Sequence, residues 1–182
     1  MVQRFVPLRP YQLRRCPCSI DLMKSLIVCV STSHGNTRRV ADRMAEVLDA
    51  QVVEPESVDP EKLCEYDLVG FGSGIYYMSV DARLRKLIRR LPHVCGPRAF
   101  TFFTSGAPEV PLLDYNKPVR NQLASKGFEV LDSFSCRKFD TVGPFGLIGG
   151  INRGRPNDHD LDRAAAFATC LRERVTRSQA AS

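Results

Sequence analysis

No apolar run in this chain of 182 residues reaches the ~18 residues expected of a membrane-spanning helix. Zinc-type cysteine pairing is also missing. The chain has seven Cys, an odd number, and Cys16-Pro17-Cys18 is the only close pair, with C-x-C spacing where metal sites use C-x-x-C twice. Scattered thiols of this kind fit a reducing, cytosolic compartment. No Gly-Lys-Ser/Thr ending occurs, which excludes a P-loop. Gly70-Phe71-Gly72-Ser73-Gly74-Ile75 fails the dinucleotide fingerprint at its sixth position, and no helix opens directly behind it. No nucleophile–base pair and no motif of paired carboxylates emerges, so the sequence assigns no catalytic residue and no metal ligand. Net charge is +6 and the sequence pI is about 9.1. The basic residues are scattered, however, with no basic run interleaved with aromatics. Arg14-Arg15 and Arg89-Arg90 read as solvated charge, and nucleic acid is not the expected partner.

What the chain does have is one organising stretch, residues 25–41. The apolar residues 26–30 suit a strand buried on both faces. Val40, Met44, Val47 and Leu48 then recur at helical spacing. Between them lies Ser31-Thr32-Ser33-His34-Gly35-Asn36-Thr37. Thr32, Ser33, Asn36 and Thr37 offer side-chain hydrogen bonds, and Gly35 lets the backbone approach a ligand. A helix start presents unpaired N–H groups and partial positive charge, so the loop is a candidate phosphate seat. An ordinary capping loop would need only one Ser, Thr, Asp or Asn.

Length is that of a single domain. Residues 1–22 stand apart: they are Arg-rich, contain Pro7, Pro10 and Pro17, and lack the apolar core of a secretory signal. They are expected to be a disordered extension or to lie ahead of the true start at Met23. The domain proper is expected over 23–176, with a frayed tail at 177–182. A second strand is expected at 51–54 and a brief helix from Asp59-Pro60, with Asp as N-cap and Pro at the first helical position. The third strand is expected at 68–72, followed by the loop Ser73-Gly74-Ile75-Tyr76-Tyr77-Met78-Ser79. Leu84, Leu87, Ile88 and Leu91 mark a helix closed by Pro92. The fourth strand is expected at 98–104, leading into Thr104-Ser105-Gly106-Ala107-Pro108. A helix over 115–126 ends at Gly127, and a fifth strand over 128–134 precedes a Gly-rich loop at 135–157. The last helix is expected from Asn157 or Asp158, with Leu161, Ala164, Ala165, Ala168, Leu171 and Val175 on its buried face. Cys29 and Cys170 read as small core residues. For Cys136 a structural thiol is expected, and His93 and His159 are expected at the surface. Alternation of strand and helix predicts an α/β fold, a doubly wound five-stranded parallel sheet of order 2-1-3-4-5.

The loop 31–37 behind a strand resembles the FMN-phosphate loop of flavodoxins, in which a hydroxyl, a Gly and a Thr enter the helix. Thr32, Gly35 and Thr37 fit that pattern, and His34 stands where the family often has another hydroxyl. In flavodoxins the loops after the third and fourth strands flank the isoalloxazine. The resemblance therefore implies a flavodoxin-like fold from residue 23 to about 172. It implies FMN as cofactor, bound by Ser31, Thr32, Ser33, His34, Gly35, Asn36, Thr37, Ser73, Gly74, Ile75, Tyr76, Tyr77, Thr104, Ser105, Gly106 and Ala107. Tyr76 or Tyr77 would cover a ring face, while Gly74 and Gly106 would let backbone groups reach the ring edge. The implied activity is electron transfer with a redox partner protein. The basic charge departs from the usual acidity of flavodoxins. The same loops occur in quinone reductases and protoporphyrinogen-dehydrogenase-type proteins, so an FMN-dependent oxidoreductase is the alternative. Its added substrate pocket would come from 108–115 or 142–157. A module that has lost its flavin is the third reading.

Overall fold

A parallel strand covered on both faces needs apolar side chains at every position, and Ser25–Val30 (β1) is buried along its whole length. The computed structural model describes residues 23–32, 34–76, 79–93, 96–106, 116–137 and 154–180. The expected extension at 1–22 and the possible substrate loops at 108–115 and 142–153 lie outside them. After β1 come Asn36–Leu48 (α1), Gln51–Val53 (β2), Leu68–Tyr76 (β3), Ser79–Val80 (β4), Ala82–Arg90 (α2), Arg98–Ser105 (β5), Lys117–Ser125 (α3), Glu129–Arg137 (β6) and Asp158–Ala180 (α4). The sheet runs β2-β1-β3-β5-β6, parallel throughout, with β4 paired antiparallel to β3. Its five parallel strands thus stand in the expected 2-1-3-4-5 order.

Alternation along the strands sorts the core into two layers. Leu26, Val28 and Val30 face one side with Leu84, Leu87 and Ile88 of α2 and Val119 and Leu123 of α3. Ile27 and Cys29 face the other, with Val40, Ala41, Met44 and Leu48 of α1 and Ala164, Ala168, Leu171 and Val175 of α4. The small Ala164 and Ala168 let α4 lie close on the sheet and beside α1. Each large apolar side chain so enclosed contributes about 1.5–3 kcal/mol.

Helix ends follow local chemistry. The Gly127 and Phe128 N–H groups donate to the Ala124 and Leu123 carbonyls at 2.9 and 3.2 Å, with Gly127 at φ +90°. That is a Schellman end, and Phe128 and Leu123 share the same core. At α4, the Asp160 N–H donates to Asn157 Oδ1 at 3.0 Å while the Asn157 N–H donates to Asp160 Oδ2 at 3.1 Å. This reciprocal cap explains a carboxylate only 1 % exposed; Arg155 Nη1 donates to it at 2.8 Å.

Several expectations are corrected. The segment after Asp59 is a 3₁₀ turn, Pro60–Glu65, preceded by another at Pro55–Ser57. Asp59 caps as expected, accepting from the Glu61 N–H at 3.1 Å, but only Leu63 of the segment is buried, too little to fix an α-helix. The third strand does not end at Gly72; it continues to Tyr76 because Ser73 and Gly74 pair with Phe103 and Thr104 of β5. The fifth parallel strand likewise runs past Phe134, since Ser135, Cys136 and Arg137 pair with Phe103, Thr104 and Ser105. The third α-helix starts at Lys117, and its expected start at Tyr115 lies outside the described residues. The tail expected to fray from Arg177 is helical through Ala180, where Arg98 Nη2 donates to Ser178 Oγ at 2.7 Å. Cys170 is exposed, because it sits about 100° around the helix from buried Leu171. His93 and His159 are exposed, as expected.

Burial pushes the Cys29 thiol up to about 12, against a smaller opposing pull from Arg38. At pH 8 the buried thiol therefore stays neutral. Iodoacetamide at pH 8 is therefore expected to label exposed Cys64 and Cys170 and to spare buried Cys29 and Cys136 until denaturant is added. Peptide mass spectrometry reads the outcome; rapid labelling of Cys29 in the folded protein would contradict this packing.

Candidate functional site

Register sets the end of β1 beside the C-terminal parts of β3 and β5. Val30 of β1 is level with Ser73 of β3, and Ser73 with Phe103 of β5. Adjacent strands lie about 4.8 Å apart, so the segments that leave them meet along an edge about 10 Å wide. Those segments are 31–37, the β3–β4 hairpin, and 104–106.

The first segment enters α1 through an N-cap residue that has no capping side chain. Its N-cap is Gly35, at φ +65° and ψ 12°. His34 just before it is also left-handed, at φ +54°. For a residue with a Cβ that conformation costs about 1–2 kcal/mol, and such strain gathers at ligand sites. A Cβ built on Gly35 meets nothing within 4 Å, so the space above the helix start is open. Thr32, His34 and Gly35 are exposed there, and Ser31 is half-buried. The Arg38 N–H donates to Ser31 Oγ at 3.3 Å, which closes the loop over the first turn.

Not every hydroxyl of the loop faces outward. Thr37 is 2 % exposed and Asn36 4 %, and Thr37 Oγ1 lies 2.8 Å from Thr104 Oγ1, itself fully buried. This hydroxyl pair ties the helix start to the end of β5 across 67 residues of sequence. Ser33 lies outside the described residues. The donors nearest the open space are thus the backbone N–H groups of the helix start and the exposed side chains of Thr32 and His34.

The hairpin is held from inside. Ser73 Oγ donates to the Gly74 carbonyl at 2.7 Å and accepts from the Asp81 N–H at 3.1 Å. Ile75 is buried in the core beside Val80, its antiparallel partner. Ser73 and Ile75 therefore offer the site their backbone, and their side chains shape the fold. Tyr76 is placed by its backbone pairing with Ser79. Tyr77 and Ala107 lie outside the described residues. Ser105 is half-buried and Gly106 buried at the end of β5. Asp81 is a site-shaping residue that the sequence reading passed over; its signal was an N-cap position ahead of the apolar spacing of α2, where its carboxylate accepts from the Arg83 N–H at 2.9 Å.

Such an edge can seat an anion at the α1 start and a flat group across β3 and β5, where small residues expose backbone. Among the described residues no group of three His, Cys, Asp or Glu could hold a metal ion, and no helix is long and apolar enough to cross a membrane.

Comparisons with known proteins agree with this architecture. A family profile described as Flavodoxin domain matches residues 27–136. An uncharacterized protein of Methanocaldococcus jannaschii is 38 % identical over 149 residues, covering 82 % of this chain and 98 % of its own. A flavodoxin from the domain Archaea superposes with a TM-score of 0.60 at 20 % identity, over 85 % of this chain and 99 % of that one. The oxidised Flavodoxin 2 of Bacillus cereus gives 0.64 at 20 % identity, over 83 % and 99 %. At that identity the two structures speak for the fold. With the profile spanning β1 to β6 and a relative of nearly full length, the chain belongs to the flavodoxin-domain family.

Proposed function

We propose that this protein binds FMN without a covalent link and works as an electron carrier in a reducing, cytosolic setting. The observation that carries the reading is the start of α1: a left-handed glycine at the N-cap, with open space at its Cβ position, where β1 ends alongside β3 and β5. The donor set fits a phosphate. The N–H groups at the head of α1 would hold it, with help from the Thr32 and His34 side chains. Ser33, Asn36 and Thr37 complete the loop, and Thr104 fixes the Thr37 hydroxyl. Ser31 keeps the loop closed through the Arg38 N–H.

The ring would lie over the ends of β3 and β5. Gly74, Ile75, Ser105, Gly106 and Ala107 would offer it backbone groups, and Tyr76 or Tyr77 a face. Bound FMN supplies the redox chemistry; the chain orients it and limits water at its edge. Ser73, held by Asp81, keeps the hairpin in place for that task.

The test is direct. The purified protein is mixed with FMN, desalted, and its visible spectrum recorded. Retained flavin at about one equivalent is expected, and anaerobic photoreduction is expected to proceed in two resolved one-electron steps. Retained flavin reduced in a single two-electron step would favour an FMN-dependent oxidoreductase on this fold. A colourless protein would overturn FMN binding.

A further inference from the structure

Helix α2 carries charge of one sign. Arg83, Arg85, Lys86, Arg89 and Arg90 make up five of its nine residues, and it has no carboxylate. Leu84, Leu87 and Ile88 fill the inner side, so the cations line the outer one. The two longer helices come close to balance, α1 keeping one cation in excess, Arg39. On α1, Arg38 pairs with Asp42 and Arg43 with Glu46, both at 2.7 Å. On α4, Asp158, Asp160, Asp162 and Glu173 offset Arg163, Arg172, Arg174 and Arg177. Among the described residues, Arg83 alone on α2 is matched, by Asp81 at 3.2 Å and Glu56 at 4.0 Å. Among the described residues no ion pair reaches Arg85, Lys86, Arg89 or Arg90. Helix α3 packs beside α2 and adds Lys117 and Arg120 with no acid of its own. Of the +6 of the whole chain, residues 1–22 carry +3 (four Arg, one Asp), while α2 by itself carries +5 (four Arg, one Lys).

The cations of this face repel one another along the helix, although Arg89 and Arg90 in the last turn gain from the helix dipole. Arg85 and Arg89, like Lys86 and Arg90, are like charges at i,i+4, a spacing at which opposite charges stabilise and like charges destabilise. A fold that nearly balances α1 and α4 and leaves α2 unbalanced keeps a field that a partner can answer. The helix also begins at the candidate site. Its N-cap Asp81 donates its N–H to Ser73 Oγ at 3.1 Å, and Val80 before it pairs with Ile75. From there α2 extends about 13 Å. It exposes no aromatic on which a base could stack, and its four unmatched cations form a short patch that does not track a polymer backbone.

We propose that the outer face of α2, through Arg85, Lys86, Arg89 and Arg90, docks an acidic protein that exchanges electrons with the cofactor beyond β3. This rests on the FMN reading above. In each encounter a reduced acidic iron–sulfur protein gives up one electron, its cluster is oxidised, and the flavin-loaded chain is reduced by one electron; two encounters complete the reduction.

An acidic plant-type ferredoxin, reduced beforehand, serves as the probe donor. Stopped-flow mixing with the FMN-loaded chain should give a rate constant that falls steeply as salt rises, because opposite charges steer the encounter. The variant Arg85→Gln/Lys86→Gln/Arg89→Gln/Arg90→Gln should retain FMN as the wild type does. It should react at least tenfold more slowly at low salt, with a flattened salt dependence. A rate unchanged by the four substitutions, or rising with salt, overturns the proposal. So does a loss of binding to duplex DNA or to phosphatidylserine vesicles while the ferredoxin reaction is untouched, since the face would then serve a polyanion or a membrane. Should the chain retain no FMN, the site reading fails by itself. The docking face is then judged by anisotropy of labelled ferredoxin titrated with the full chain, where at least a tenfold weakening in the variant supports it and equal binding overturns it.

Discussion

Gly72→Ala is expected to cost about 3 kcal/mol, the upper end of what overpacking a core usually costs. The reason lies on the neighbouring strand. Gly72 is in register with Phe102, and a Cβ on Gly72 would stand 1.9 Å from Phe102 Cζ and 2.4 Å or less from two further ring carbons. The ring has nowhere to go. Phe102 is fully buried and stacks on Phe100 at 6.1 Å between centroids, and Phe100 in turn meets Phe167 of α4 edge-on at 6.0 Å. Gly70 repeats the arrangement under Phe100, with its nearest ring atom at 2.5 Å, so Gly70→Ala should be the milder change. For a chain of this size each kcal/mol moves Tm by about 2–4 °C, which puts Gly72→Ala roughly 6–12 °C below the wild type. Adding Phe102→Leu to Gly72→Ala should recover part of the loss, because residues in contact couple. Urea unfolding of the three variants measures both effects. A Gly72→Ala protein within 0.5 kcal/mol of the wild type would show that the Phe100–Phe102 stack yields freely.

Those glycines also mark what a single sequence can and cannot show. The spelling of residues 70–75 is enough to dismiss a dinucleotide loop, but the reason for Gly70 and Gly72 lies about 30 residues away in β5. Elements whose causes are local were legible: the buried run of β1, the apolar period of α1, the Gly127 end of α3, and with them the order of the sheet. Elements whose causes are distant were not. Ser73 and Gly74 look like a loop by composition and are strand because Phe103 and Thr104 lie beside them. At Asp59 the capping chemistry was right, yet a cap cannot make an α-helix without an apolar face behind it. Asp160 stands in the acidic first turn of α4, where the helix dipole alone would account for it. Its burial became visible only once Asn157 and Arg155 were seen to hold it. In the candidate site, the place of the loop was legible and the direction of its hydroxyls was not. Thr37 turns inward because its partner is Thr104, a contact that no spacing within 31–37 encodes.

The inward turn of Thr37 leaves Gly35 as the position where the phosphate proposal is most exposed to refutation. Gly35→Asp is expected to weaken FMN binding about 100-fold while leaving the free protein nearly as stable. Two small terms oppose each other in the free protein. A Cβ at φ +65° is strained by about 1 kcal/mol, although Asp tolerates that region better than most residues. A carboxylate at the start of α1 gains about 0.3–1 kcal/mol from the helix dipole. The new Cβ itself adds no clash, since nothing lies within 4 Å of it. In the complex the balance changes. The carboxylate would share the open space with a phosphate, and two unit charges about 5 Å apart at an effective dielectric of 20 repel by about 3 kcal/mol. Each 1.4 kcal/mol is about tenfold in affinity. Gly35→Asn makes the control, with nearly the same shape and backbone tolerance and no charge. Riboflavin makes the second control, because it lacks the phosphate. Quenching of flavin fluorescence on titration should show Asp well below Asn for FMN and the two alike for riboflavin, with circular dichroism melts of the free proteins close together. Equal losses for Asp and Asn would mean that bulk, and not charge, is felt at this loop. Wild-type protein that binds riboflavin as tightly as FMN would remove the phosphate from the head of α1 altogether.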